Sequence, residues 1–299
     1  MDFFNRKHFE LCFLILHFLD FEMTSKCIES IFDTFFNNSI YIVIVDNGST
    51  NESGKLLEEK YVDNNFVYVI RNKSNLGFAN GNNTGYKWIK DNIDCDFIGV
   101  INNDIIINQS NCFELIKEEF SNSNFAILGP DIVSSCGKHQ SPIFKKALSL
   151  EEILEYKQYL ETIQKRFFFH YVKEKIFSIF VSKDRKKDEI GELNSQEYFI
   201  NPVLHGACYF LSHIFIDKND YIFNPKTFMY FEENILHYEC QKKGLIMVYF
   251  PKIKVNHLED ISTKAFIKKS YKREKWILDE SLKSVCILLD IMRDDKYLG

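Results

Sequence analysis

The stretch "IYIVIVDNGST", residues 40–50, runs through six apolar residues and stops abruptly at Asp-Asn-Gly-Ser-Thr. An unbroken apolar run rich in Ile and Val predicts a strand buried on both faces. Such a strand belongs in a parallel sheet with helices above and below it. The neighbouring sequence repeats the pattern. "LCFLILHF" (11–18) reads as a strand, and residues 24–36 set Ile28, Ile31, Phe32 and Phe35 on one helical face. "SGKLLEEKYV" (53–62) is helical, "FVYVI" (66–70) is a strand, and the loop "RNKSNLG" leads into a helix where Ala79, Tyr86, Ile89 and Ile93 align. "DFIGVI" (96–101) and "FAILG" (125–129) are further strands. The alternation predicts an α/β fold with a mostly parallel, Rossmann-like central sheet flanked by helices. Ligands of such sheets bind beyond the carboxyl ends of the strands.

Composition narrows the class. The 299 residues are 45% hydrophobic and 15% aromatic, enough for a sizeable core and too apolar for a disordered chain. A net charge of -5 gives no reason to expect a nucleic-acid partner. The eight cysteines are scattered with no C-x-x-C pair, which favours free thiols in a reducing cytosol over disulfides or a zinc site. "LCFLILHFL" is too short to span a bilayer, and no transmembrane helix is expected.

Residues 138–198 change character. "SLEEILEYKQYLETIQKRFFFHYVKEKIFSIF" is helical, opened by a capping-box pattern at Ser149 and Glu152, and "SKDRKKDEIGELNS" reads as an exposed loop. This is a helical insertion beside the sheet. "HGACYFLSHIFI", "LIMVYF" and "KIKVNH" resume strand character, and a long helical pattern begins near Thr263. The expected organisation is one domain over 1–262 carrying that insertion, followed by a C-terminal helical segment over 263–299.

Several polar clusters stand where ligands would bind. Asp46-Asn47-Gly48-Ser49 ends one strand and Asn102-Asn103-Asp104 ends another. Both suit tight turns, and Asp46 equally suits a nucleobase NH or a ribose hydroxyl. "NKSNLGFANGNNTGYKW" (72–88) gathers glycines and asparagines at a loop-to-helix junction, which allows close backbone approach or anion binding, yet matches no phosphate-loop pattern. Glu232 and Glu233 in "FMYFEENILHYECQKKG" are either first-turn glutamates favoured by a helix dipole or a general base with a raised pKa. His257 follows a strand; alone it reads as structural, and with Asp104 across the sheet it would complete a metal site.

In this order the segments "ILHF", "IVIVDNGST", "NLGFANGNNTG", "INNDI", "HGACYFLS", "FMYFEENIL" and "VNHLEDIST" resemble the family 2 glycosyltransferases of the GT-A fold, nearest to rhamnosyl- and galactosyltransferase-like members that build bacterial surface polysaccharides. The likeness covers most of residues 11–263. It implies that Leu16, His17, Asp46 and Asn47 hold the base and ribose of a nucleotide-sugar, with Asn75, Gly77 and Asn80 lining the nucleotide or donor sugar. Asn102 and Asn103 would support Asp104, which binds Mg or Mn through the diphosphate together with His257. Glu233, beside Glu232, falls at the position of the family's base. The implied reaction is inverting transfer from a UDP-, dTDP- or GDP-linked sugar to a glycan or polyprenol-linked oligosaccharide.

The sequence departs from the family in places. Asn102 stands where many relatives carry an acid, Glu233 replaces the commoner aspartate, and Ile235 and Glu239 replace Asp and Arg. The competing reading is a catalytically impaired nucleotide-sugar-binding or scaffold protein on the same fold. The basic, aromatic tail (Lys264, Phe266, Lys268, Lys269, Tyr271, Lys272, Arg273, Lys275 and Trp276) fits an anionic membrane surface, its own domain or a homodimer interface. The resemblance favours the inner face of the cell membrane.

Overall fold

The run beginning at Ile40 is β2 (Ile40–Asp46), lying parallel to β1 (His8–His17) with Leu11 opposite Ile40 and His17 opposite Asp46. The computed structural model describes residues 7–168, 171, 197–258 and 271–298, the last helix with side chains through Asp295. β3 (Val67–Arg71) and β4 (Asp94–Asn102) complete a parallel half in the order β3-β2-β1-β4. Helices α1 (Phe21–Thr34), α2 (Ser53–Tyr61) and α3 (Gly77–Asn92) make the connections.

Alternate side chains of these strands enter different cores, as the twofold period of a strand requires. Leu11, Phe13, Ile15, Ile42 and Ile44 join Cys27, Ile28 and Ile31 of α1 and Leu57 of α2. Cys12, Leu14, Val43 and Val45 join Ala79, Tyr86 and Ile89 of α3 on the other face. Burial on both faces explains why β2 has no polar alternation.

Beyond β4 the sheet is mixed. β8 (Cys208–Ser212) lies antiparallel to β4 and to β6 (Ile127–Ser134), while β9 (Met247–His257) runs parallel to β6. The two-residue strands β5 (Ile105–Ile106) and β7 (Phe199–Ile200) pair antiparallel with β9. "LIMVYF" and "KIKVNH" prove to be one strand, whose register against β6 shifts at Pro130/Asp131. "HGACYFLSHIFI" divides: its strand ends at Ser212, and α6 (His213–Lys218) follows with Phe215 buried. A short apolar run fits either period, and here packing decides. Helix α4 (Cys112–Ser123) covers the first core through Phe113 and Ile116.

The insertion forms α5 (Leu150–Lys165) with the expected capping box: Glu152 N donates to Ser149 Oγ at 3.2 Å and Ser149 N to Glu152 Oε2 at 2.7 Å. Ile153 and Leu160 of α5, Ile235 of α7 (Glu232–Lys242) and Leu278, Val285 and Leu288 of α8 (Tyr271–Leu298) build a third core. The charged run 182–195, the expected boundary at 262/263 and Lys264, Phe266, Lys268 and Lys269 lie outside the described residues. All eight cysteines are free thiols. Among the described residues no helix is long and apolar enough to cross a membrane.

Candidate functional site

The three central strands deliver Leu16, Asp46 and Asn102 to one end of the sheet, with Leu16 opposite both Val45 and Asn102. One residue on, His17 points to the other face and is fully buried. Its Nε2 meets Ser53 Oγ at 2.8 Å and its Nδ1 meets Thr24 Oγ1 at 2.7 Å. Thr24 Oγ1 donates to Asp20 O at 2.8 Å, so it accepts from His17 Nδ1 and from Asn103 Nδ2, the latter at 3.0 Å. Burial lowers the His17 pKa to about 4 against the pull of Asp46 and Asp20, leaving a neutral ring. His17 therefore stands behind the site and braces Asn103 through Thr24.

Asp46 is 2% exposed; its Oδ1 accepts from Ser49 N at 3.0 Å, and Arg71 Nε lies 3.8 Å from Oδ2. A Cβ on Gly54 would sit 1.8 Å from that Oδ2, so the packing around Asp46 demands glycine there. Asn47 organises the next loop. Its amide donates to Asn75 Oδ1 (3.1 Å) and Gly77 O (3.0 Å), and its Oδ1 accepts from Leu76 N (3.0 Å). Gly77 adopts φ +80°, and a Cβ there would lie 2.3 Å from Phe228 O. Asn80 turns away and donates to Pro225 O at 3.0 Å, tying α3 to the loop before α7.

Asp104 and His257 are brought together by β5 and β9. Ile105 pairs with His257, and Leu258 N donates to Asp104 O at 2.9 Å. His257 Nε2 then lies 3.2 Å from Asp104 Oδ1, while Nδ1 meets Gln140 Oε1 at 2.8 Å. The amide oxygen only accepts, so Nδ1 donates to it, and in the neutral ring Nε2 then presents its lone pair to Asp104. Asp104 Oδ1 is buried with no hydrogen-bond partner. Two acceptor atoms facing each other fit a cation between them, as carboxylate and imidazole donors allow. No cluster of three or more His, Cys, Asp or Glu side chains suited to a metal occurs among the described residues. His205, which sequence reasoning left out although it opens "HGACYFLS", stands 5.9 Å from His257 between ring centres. Burial and the neighbouring His257 lower its pKa to about 4, and its Nδ1 accepts from Ala207 N at 3.2 Å.

The glutamate pair opens α7. Tyr230 (φ +71°) and Phe231 (φ +67°) both adopt the left-handed region, each at a cost of order 1 kcal/mol or more for a non-glycine residue. Such strain concentrates where geometry serves a site. Glu232 is 3% exposed, and its Oε2 is buried with no hydrogen-bond partner. Burial, then the charge of Glu233, push its carboxyl well above the usual range. Burial also raises Glu233, opposed by its own backbone N–H and that of Gly206. Two adjacent buried carboxyls resist ionising together, and the hydrogen bonds favour Glu233 as the one that does.

These groups face one cavity of about 610 Å³. Its wall includes Leu16, Asn47, Asn75, Asn102, Asn103, Asp104, His205, Gly206 and the stretch Phe228–Glu233. His17, Asp46, Gly77, Asn80 and His257 lie behind or beside that wall. Arg273 and Trp276 of α8 complete it, so the described part of the basic helix packs on its own domain. Sequence gave no register that would aim those two residues inward.

The family profile described as "Glycosyl transferase family 2" matches residues 14–186. The low-salt glycan biosynthesis hexosyltransferase Agl10 of Haloferax volcanii is 23% identical over 207 residues, covering 68% of this chain and 54% of the relative. The chain thus spans about half the length of that curated relative. GalNAc-T7, solved with UDP, GalNAc and Mn2+, superposes with a TM-score of 0.56 at 14% identity, covering 85% of this chain and 44% of the other. Residues 1–349 of S. aureus TarS give 0.51 at 11% identity, covering 91% and 70%. At these identities the likeness establishes a shared fold, the GT-A architecture of the central sheet and its flanking helices.

Proposed function

The chain belongs to glycosyl transferase family 2, and from that premise we propose that it is an inverting glycosyltransferase using a nucleotide-diphospho-sugar. The observation that carries the reading is convergence. Asn102-Asn103-Asp104 and Glu232-Glu233, remote in sequence, line the same 610 Å³ cavity at the carboxyl ends of the parallel strands.

Leu16, Asn47 and Asn75 hold the nucleoside end of the donor, with Asn47 fixing the Asn75–Gly77 loop in shape before the ligand arrives. His17 and Asp46 act from behind, one bracing Asn103 and the other capping the turn at Ser49. Asp104 and His257 would hold a divalent cation, Mg or Mn, with further ligand oxygens coming from the substrate. When bound, that ion neutralises the charge that develops on the departing diphosphate. Asn102 and Asn103 supply neutral polar support beside it.

Glu233 takes the proton of the acceptor hydroxyl as that oxygen attacks the anomeric carbon. A partly desolvated carboxylate is a stronger base than one in water, and the Gly206 N–H orients it. Attack from the face opposite the leaving group inverts the anomeric configuration without a covalent enzyme intermediate. The acceptor is a glycan or lipid-linked oligosaccharide of the cell surface. A scaffold would gain nothing from the unpartnered Glu232 oxygen, since a buried unsatisfied group costs about 1–3 kcal/mol. A thermal-shift screen of UDP-, dTDP- and GDP-sugars with Mn2+ or Mg2+ tests the reading: one nucleotide-sugar raises Tm in a metal-dependent way and is hydrolysed slowly. No response to any of them would overturn it.

A further inference from the structure

Arg273 and Trp276 reach the cavity from α8, outside the span matched by the family profile. Arg273 is the one lysine or arginine among the described lining residues, which also include the carboxyl groups of Asp104, Glu232 and Glu233. Trp276 meets Phe228 and Tyr230 edge-on, with ring centres 6.0 Å apart in both pairs and interplanar angles of 85° and 68°. Phe228, Tyr230, Trp276 and Arg273 all line the cavity.

We propose that this α8 side is an acceptor subsite for a sugar bearing an anionic group, with Arg273 gripping the anion and Trp276 and Tyr230 packing on the sugar ring. The proposal rests on the glycosyltransferase reading and names its acceptor class. A guanidinium presents paired N–H donors that match a carboxylate or a phosphate. An aromatic wall suits the C–H face of a pyranose, and the buried unpartnered Glu232 Oε2 offers a partner to a ring hydroxyl. The charge of Arg273 is felt at Tyr230, whose hydroxyl is raised by burial, lowered by Arg273 and raised again by Glu232. Tyr230 thus sits within electrostatic reach of both groups. The forces raising Glu232 are burial and the Glu233 charge. The donor end has its own fittings in Asn47, Asn75 and Asp104, which leaves this surface to the other substrate.

Saturation-transfer NMR on the full chain tests the assignment, with Mn2+ and UDP, GDP or dTDP present. The probes are hexoses, the matching hexuronic acids and the hexose 6-phosphates. The expected result is one anionic sugar binding about tenfold tighter than its neutral parent, a margin equal to about 1.4 kcal/mol. Arg273→Gln removes that margin, Arg273→Lys retains part of it, and Trp276→Ala weakens charged and neutral sugars alike. Nucleoside diphosphate affinity and thermal melting of Arg273→Gln stay at the wild-type values. The uronic-acid and phosphate arms identify which anion is read. Indifference of the wild type to sugar charge overturns the proposal. Loss of nucleoside diphosphate affinity in Arg273→Gln also overturns it, because Arg273 would then serve the donor. Failure of the wild type to bind any nucleoside diphosphate strikes the parent reading instead.

Discussion

His257 Nε2 stands 3.2 Å from Asp104 Oδ1, yet that oxygen is buried without a hydrogen-bond partner. On the proposed reading a divalent cation would be the missing partner of that oxygen. Asp104→Asn should abolish the Mn2+-dependent part of nucleotide-induced stabilisation, which for a ligand at 100 Kd amounts to about 2.7 kcal/mol. Without metal the same variant should match or exceed wild-type stability, since it relieves an unpaired buried acceptor. Melting curves with and without Mn2+ and UDP check both halves. Retained metal dependence would remove Asp104 from the site.

Glu233→Gln should keep donor binding and lose transfer by about 10²–10⁴-fold, the usual scale of general-base catalysis. Glu232→Gln should cost far less, because burial already favours the protonated, amide-like form of Glu232. Single-turnover assays on both variants make the comparison. Equal losses would contradict the division of labour within the pair.

Acid should weaken the fold through His17. Its pKa falls from 6.5 in the unfolded chain to about 4 in the folded one, so the unfolded state binds more protons between those values. Stability is full above pH 6.5 and declines as pH drops towards 4, by up to about 3 kcal/mol for this residue. Urea denaturation from pH 7 to 4.5 should show a shallower decline in His17→Gln, measured against that variant's own stability at pH 7.

Gly77→Ala should destabilise by about 2 kcal/mol or more, because φ +80° and a Cβ 2.3 Å from Phe228 O leave no room for adjustment. The same change should loosen the loop at Asn75 and weaken nucleotide binding. Chemical denaturation and UDP titration read the two effects separately, and a wild-type denaturation midpoint would show that the loop yields.

Local periodicity made the parallel half legible, because β2 and its neighbours are buried on both faces and carry no competing signal. The polar strand ends at Asp46 and Asn102–Asp104 were legible for the same reason: they interrupt apolar runs. Sequence could not show that His17 faces away from the cavity, since side chains of a strand alternate and the ligand face is set by packing. Nor could it separate α6 from β8, where "SHIFI" suits either period. His205 went unassigned, and Arg273 and Trp276 were legible only as part of a basic, aromatic tail, because their place at the cavity depends on how α7 and α8 dock through Ile235, Leu278 and Val285. That docking is tertiary, and the sequence pattern of α8 leaves its register open.

β9 is the last described strand of the sheet in chain order, and it pairs with β5, β6 and β7 while carrying His257. During synthesis β1 to β4 can assemble as soon as they emerge, but the edge of β4 waits for β8 and Asp104 waits for β9. A nascent chain that has passed Asp104 thus presents an open strand edge and half of a carboxylate–imidazole pair. In the proposed enzyme the Asp104–His257 pair, and with it the metal site, would therefore be completed only when that last described strand is in place.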